Sequence, residues 1–349
     1  MFTRLLVQNF TVFQKSDFDL SPGLNVFIGE NGSGKTHVLK IAYCVAAVLT
    51  GDGKRKYSEE PSKTGLQSQI GDKIVGVFRP ESLGRVVRRR QGRERCEIKA
   101  YFSDKSLNIN FSFATQSRSE VSLEKLPTKW SDITPVYIPS REILSLYPQF
   151  LSIYEQRYLE FEETYRDLCI LLGIPVERGP RTQRIKRLLE PLEEAMGGAI
   201  VLDKNGRFYL KLTGQGNMEM PLVAEGIRKL AMLTRLVGNG SLLDHGMLFW
   251  DEPDTSLNPK LIVHVAQFIM ELAKYGVQIF IATHSLFLLR ELDILRKSKK
   301  YRQVPANFFA LHPEEDGVVV QAGKALDDLD PIDALDEELN QSDRYMEVL

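Results

Sequence analysis

Cysteine is scarce in this chain of 349 residues: Cys44, Cys96 and Cys169 lie far apart, with no CxxC pair. That excludes zinc-ribbon or dithiol chemistry, and an odd, sparse count fits a reducing cytoplasm. Long apolar runs are also missing; none approaches the roughly 18 residues that cross a bilayer, so no membrane role is expected. The opening MFTRLLVQNF breaks its apolar stretch with Arg4, Gln8 and Asn9 and lacks a small-residue cleavage site, so no secretory leader is expected. Neither sign of charge is in excess: Lys plus Arg number 45 and Asp plus Glu 46, so the total names no partner. What is present is ordinary for a globular protein, 43% hydrophobic and 26% charged, which excludes wholesale disorder. The length gives a prior of about two domains.

The distribution of charge says more than its sum. Residues 85–95, RVVRRRQGRER, carry six arginines against one acid, and 178–187, RGPRTQRIKR, carry four arginines and a lysine with no acid. The last 25 residues carry nine acids against Arg344 alone. Such asymmetry suggests separate basic and acidic contact surfaces, with solvated loops as the other reading.

Residues 2–8 and 24–29 read as strands, and THVLKIAYCVAAVL as a helix. The polar stretch 51–72 reads as a mobile loop, and 73–79, 95–103 and 107–114 as strands of an antiparallel patch. A short strand, PVYI, leads into PSREIL. From about 144 to 197 apolar residues recur at helical spacing, after which AIVLDKNGRFYLKL reads as a hairpin turning at Asn-Gly. A helix (226–237), the strand MLFW, a helix (259–274) and a last core strand, VQIFIAT, follow. The organisation expected is an α/β nucleotide-binding core in two pieces, 1–143 and 199–320, with a helical insertion at 144–198 and an acidic tail at 321–349.

Gly29-Glu30-Asn31-Gly32-Ser33-Gly34-Lys35-Thr36 fits GxxxxGK[ST] at every fixed position, between a strand and a helix. Glycines let the backbone wrap phosphates, so that amide N–H groups point inward at the helix's positive end. Lys35 is expected on the β- and γ-phosphates of ATP and Thr36 on Mg²⁺. Gly29, Asn31, Gly32, Ser33, Gly34 and His37 complete the expected nucleotide contacts.

Met247-Leu248-Phe249-Trp250 is an apolar run that delivers Asp251 and Glu252 at its end. Adjacent carboxylates alone mean little. Paired with the loop above, they suit a Mg²⁺ site, Asp251 on the metal and Glu252 polarising the attacking water. His284 ends IFIAT, where its imidazole could contact the γ-phosphate; a structural histidine is the other reading.

In this order, GENGSGKT, LFWDEPDTSLNP and IATHS resemble the Walker A, Walker B, D-loop and switch histidine of ABC-type ATPases. With the opening LLVQNFTVF and the long Walker A to B interval, the chain is similar to the OLD, RecF and SMC/Rad50-like branch. The resemblance implies an ABC-type P-loop ATPase head with a mixed sheet, an antiparallel β patch and a helical insertion. It also implies a homo-oligomer, at least a dimer, with ATP sandwiched between heads. The matching signature loop contains Ala224, Glu225 and Gly226 and departs from LSGGQ, because Ala224 offers no hydroxyl; this puts signature-serine chemistry in doubt. Ser256 and Asn258 match the D-loop. Ser140-Arg141-Glu142 lies where a Q-loop would, and Phe13 is either an adenine-stacking ring or a core residue.

OLD-type proteins carry a nuclease domain after the ATPase core, and the 65 residues after His284 are too few for one, so any effector is expected on another chain. The insertion resembles those of small stand-alone bacterial ATPases of the AAA15/AAA21 class. Such ATPases recur in two-gene anti-phage systems, and the resemblance extends to the PARIS type, in which the ATPase holds a TOPRIM nuclease. The function implied is a cytoplasmic ATPase that senses or regulates and controls a separate effector in phage defence. The alternative is a RecF/Rad50-like repair ATPase stimulated by DNA; a scaffold that binds ATP but barely turns it over is a third. Arg85–Arg95 could meet DNA or an acidic DNA-mimic protein, since both offer dense negative charge, or be a solvated arm or subunit contact. In the tail, Asp330 and Pro331 look like a helix start, with Ile332, Leu335 and Leu339 on one face.

Overall fold

The computed structural model describes the chain except for residues 52–59, 90–91, 148, 157–159, 177–181, 244–245, 331–332 and 348–349. Its N-terminal part forms β1 (Phe2–Phe10), β2 (Phe13–Asp19), β3 (Leu24–Ile28), α1 (Lys35–Leu49) and α2 (Lys63–Phe78). Then come β4 (Arg95–Phe102), β5 (Ile109–Ala114), β6 (Ser122–Lys125) and β7 (Pro135–Ile138). Three helices follow, α3 (Gln149–Glu155), α4 (Glu163–Gly173) and α5 (Gln183–Met196), and then β8 (Gly198–Leu202), β9 (Phe208–Leu212) and β10 (Gly216–Glu219). The remainder is α6 (Glu225–Gly238), β11 (Met247–Asp251), α7 (Pro259–Lys274), β12 (Gln278–Thr283), α8 (Leu286–Lys297), β13 (Ala306–Glu314), β14 (Gly317–Gly323) and α9 (Asp333–Glu347).

A six-stranded sheet ordered β14-β13-β3-β12-β11-β7 forms the centre, parallel except for β14. Its strands alternate faces with the period of two that a pleat imposes. Leu24, Val26, Leu248, Trp250, Ile279 and Ile281 belong to one apolar cluster, shared with α4 to α8; Phe27, Phe249, Phe280 and Phe309 belong to the other. That second cluster holds α1 and α2 and a five-stranded antiparallel sheet, β2-β1-β4-β5-β6. Buried Gln278 joins the two sheets: its side chain accepts from the Phe2 N–H at 2.9 Å and donates to the Phe2 and Ser21 carbonyls at 2.6 and 2.8 Å.

The inserted helices pack on the same core. Leu168, Leu172, Leu188, Leu189 and Leu192 join the cluster beneath α6 and α7. At the far end of α6, Arg235 donates to the carbonyls of Leu172 and Ile174 at 2.9 and 2.8 Å, and Asn239 to that of Leu171 at 2.8 Å. These bonds fasten α6 to the carbonyls at the end of α4.

Two expectations are overturned. Residues 63–78, expected as a mobile loop running into a strand, form α2: Ser62 caps it, and Leu66, Ile70, Ile74 and Val77 bury one face. Its glycines allow close packing instead of breaking the helix, since a side chain at Gly71 would collide with the Ser119 backbone and one at Gly76 with Glu163. The strand VQIFIAT is not the last of the core, because β13 pairs in parallel with β3 on its other side and β14 extends the edge. The Asn-Gly hairpin forms as expected and gains β10 as a third strand.

The charged stretches divide. Val86 and Val87 are buried, Arg88 donates to the Asp316 carbonyl, Arg85 pairs with Glu81 at 2.9 Å and Arg95 bonds Ser112 at 2.6 Å. Arg89 and Arg93 stay exposed, while Arg90 lies outside the described residues. Of the second basic run, Arg178 and Arg181 are outside the described residues, and Arg184 stacks on Tyr275 at 4.8 Å. The acidic tail forms α9, but Pro331 and Ile332 lie outside the described residues, and so do the Leu335 and Leu339 side chains. Among the described residues no helix is long and apolar enough to cross a membrane.

Candidate nucleotide-binding site

The phosphate-loop pattern sits where β3 ends and α1 begins, at the carboxyl edge of the parallel strands. Gly29, Gly32 and Gly34 have φ of +154°, +85° and +92°, conformations that side chains resist. A Cβ on Gly34 would also stand 2.6 Å from Val12 and 2.7 Å from the Phe13 ring. Helical bonding starts with the Val38 N–H on the Gly34 carbonyl at 3.0 Å, so the preceding amides at the positive helix end are not used by the helix. Lys35 is buried and curls over the loop, donating to the Gly29 and Glu30 carbonyls at 2.7 and 2.8 Å. Burial lowers its pKa. Ser33 Oγ is buried without a partner, and Asn31 and Gly32 are exposed.

Thr36 Oγ1 meets the Asp251 carboxylate at 2.9 and 3.1 Å, joining two segments far apart in sequence. Burial, more than any neighbour, pushes Asp251 up from 3.8 to about 6, while the Thr36 hydroxyl pulls it back. A buried carboxylate with a hydroxyl beside it supplies two oxygen donors at one point. Mg²⁺ fits: it takes oxygen donors, needs only one or two from the protein and completes its shell with water and phosphate.

Glu252 follows in the left-handed region, φ +47°. Its N–H donates to the Ala282 carbonyl at 2.9 Å, and its carboxylate lies 3.2 Å from His284 Nδ1 and accepts from the Thr255 hydroxyl at 3.3 Å. β12 lies between β3 and β11, which brings His284 to the same strand ends. Asp254 accepts from the Thr283 hydroxyl at 2.8 Å.

Ala224 caps α6 with no side-chain bond, and Glu225 opens the helix. Gly226 lies so close under the next segment that a Cβ there would be 2.7 Å from the Ser256 carbonyl. Ser256 is exposed and left-handed, φ +63°. Asn258 accepts from the Leu261 N–H at 3.0 Å and caps α7, with Pro259 in its first turn. Among the described residues, the side chains of Glu225 and Ser256 make no hydrogen bond to this chain's own phosphate loop.

Two suggested residues face the core. His37 faces α2, its ring 5.7 Å from that of Phe78, and burial, aided by Lys40, holds its pKa down at about 4. Phe13 is fully buried beneath Gly34, edge-on to Phe18 at 6.1 Å, which makes it a core residue. Glu142 belongs to the segment read as a Q-loop, whereas Lys40, Glu162 and Lys229 went unnoticed in the sequence. Buried Glu142, just after β7, pairs with Arg228 Nε at 2.7 Å and accepts from the Ser145 hydroxyl at 2.6 Å. Lys40 pairs with Glu162 at 2.5 Å. Lys229 is wholly buried and donates to the Thr255 carbonyl at 2.7 Å. Only Lys229 left a trace, a cation at a core-facing position of an amphipathic helix.

A protein-family model described as "AAA domain, putative AbiEii toxin, Type IV TA system" matches residues 24–290, well over half of the chain. The chain belongs to this AAA family. The DNA replication and repair proteins RecF of Salmonella paratyphi B and Salmonella agona are 33% identical to this AAA protein over 100 residues, 28% of its chain and 26% of theirs. The match therefore spans about a quarter of the length of those curated relatives. An Smc head domain with an extended coiled coil, bound to the C-terminal domain of ScpA from Pyrococcus furiosus, superposes with a TM-score of 0.55 at 12% identity, covering 99% of each chain. A second SmcHead, bound to the C-winged helix domain of ScpA, gives 0.54 at 14%, covering 93% and 98%. The fold is accordingly that of an SMC head, an ABC-type α/β ATPase architecture with a mixed sheet and added antiparallel sheets. The AAA family match, the RecF-like segment and the SMC-head fold agree with a P-loop nucleotide-binding architecture.

Proposed function

We propose that the chain binds ATP with Mg²⁺, hydrolyses it between two heads, and uses that cycle to control a separate effector protein in bacterial phage defence. The observation that carries the nucleotide reading is Thr36 held on buried Asp251 beneath a glycine-built loop. In this reading the amides of the loop and Lys35 hold the phosphates, and Thr36 and Asp251 hold the metal. Mg²⁺, when bound, offsets phosphate charge and orients it. Glu252 takes a proton from the attacking water, and His284, 3.2 Å from it, orients that carboxylate and faces the γ-phosphate. Ala224, Glu225, Gly226 and Ser256 serve the second head: Ala224 and Ser256 are exposed on one surface, and the helix N-terminus behind Ala224 favours an anion.

Control of an effector is supported by the family description, which names a toxin and a type IV TA system, and by solved heads of this fold bound to ScpA. A TOPRIM-type nuclease is the effector we favour, and the cytoplasm the place. The second reading, a repair ATPase stimulated by DNA, is favoured by the RecF match over 100 residues. Exposed Arg89 and Arg93 are then the residues to touch DNA, or an acidic mimic of it.

Tagged Glu252→Gln protein, expressed from its native operon and purified with ATP, separates the two. A stoichiometric second protein supports effector control. Nuclease-sensitive DNA without a protein, together with DNA-stimulated phosphate release that Arg89→Glu and Arg93→Glu abolish, supports repair. Phosphate release no faster than in buffer would reduce the protein to a nucleotide-bound scaffold.

A further inference from the structure

We infer that Lys229 is a positioning residue, which ties the signature-like helix to the strained turn carrying Glu252 so that Ala224–Gly226, Glu252 and Ser256 move as one piece. The inference deepens the ATPase reading above and rests on it for its catalytic half.

The buried face of α6 is otherwise made largely of Leu230, Ala231, Leu233, Leu236 and Val237. Lys229 is 1% exposed, as deep as those residues, yet it is a cation. Filling that space needs no charge, and an apolar side chain would avoid the cost of desolvating an ammonium. What lysine adds is reach and a donor. Its Nζ ends 2.7 Å from the Thr255 carbonyl, and the next carbonyl, that of Ser256, lies against Gly226 one turn earlier on the same helix. Two consecutive carbonyls of one turn are thus seated on the start of α6.

That turn needs holding. It contains two non-glycine residues in the left-handed region, Glu252 and Ser256, a conformation that persists only where the surroundings enforce it. Its internal bonds are the Thr255 N–H on the Glu252 carbonyl at 3.2 Å and the Leu257 N–H on the Asp254 carbonyl at 3.1 Å. The net effect on Lys229 is a lowered pKa, with burial as the largest cause. Burial works against the ammonium, while Glu225, Asp254, Glu252 and Asp251 all favour it. Lys229 therefore faces carboxylates from its own helix and from the turn, and removing it leaves those acids with one cation fewer.

The test compares the full chain with Lys229→Met, similar in length and without the donor, in three measurements. Without nucleotide, amide exchange at Thr255 and Leu257 is expected to quicken about tenfold or more, with the amides of α7 unchanged. ATP affinity is expected to stay within about threefold, while kcat falls tenfold or more at constant KM. Unchanged exchange at Thr255 and Leu257 overturns the tie, whatever turnover does. Faster exchange with unchanged kcat overturns its part in catalysis. If the methionine variant does not fold, Lys229→Gln, which keeps a shorter uncharged donor, takes the same three measurements. Should the wild type not hydrolyse ATP, the ATPase reading fails by itself, and the nucleotide-free exchange still decides the tie.

Discussion

The phosphate loop and the turn after β11 both bend the chain through left-handed backbone, by different means. In the loop every residue with positive φ is a glycine, so the shape costs only chain entropy, and its close neighbours are the Leu311 carbonyl at Gly29 and the Val12–Phe13 pair under Gly34. In the turn those positions hold Glu252 and Ser256, which carry side chains, so strain stays and outside contacts must oppose it. A surface that only cradles an anion can be made of backbone; one that places a carboxylate at a bend has to be braced.

Four experiments sharpen or break this contrast. The largest effect is expected from Glu252→Gln: phosphate release slower by about 10²–10⁴-fold with ATP affinity nearly kept. Unchanged release would remove Glu252 from the chemistry. Next, urea unfolding should separate two loop glycines: Gly34→Ala costs left-handed strain plus a clash, about 2–5 kcal/mol together, and Gly32→Ala, with nothing within 4 Å, only about 1–2. Equal losses would mean the Val12–Phe13 contact is unimportant.

Asp251 supplies the third. Its pKa is raised from 3.8 to about 6 by burial, so the folded metal-free protein holds a proton that the unfolded chain has released. Stability is then greatest below about pH 4 for this group and is lost as pH rises through 6, up to about 3 kcal/mol in all. Asp251→Asn should flatten that part of the profile in EDTA; a profile identical to wild type would contradict the burial argument. The smallest effect belongs to Ser256→Gly, where relief of strain and added chain entropy offset each other to within about 1 kcal/mol in thermal unfolding. A larger loss would show that the serine side chain itself holds the turn.

Much of this was legible in the sequence because it is local. The phosphate loop is contiguous, and β11 announces itself as an apolar run ending in two acids, so their meeting at Thr36–Asp251 could be anticipated. What escaped notice depends on tertiary partners. β2 alternates exposed and buried residues and lacks an apolar run, so it is defined by pairing with β1. The glycines of α2 look like breakers until Ser119 and Glu163 are seen beside them. β13 and β14 follow a charged stretch and take their place from β3. His37 is adjacent to Thr36 in sequence, yet the helix turns its ring toward Phe78. The grip of Lys229 on Thr255 links residues 26 positions apart, a relation that no local pattern encodes.

The bonds from Arg235 and Asn239 to the end of α4 have a mechanical meaning. α6 is a rod of fourteen residues with the exposed Ala224 loop at one end and the inserted helices fastened to the other. Anything that shifts the inserted helices therefore acts on a lever whose opposite tip is the exposed Ala224 loop, so a displacement at one end of α6 carries to the other without a hinge.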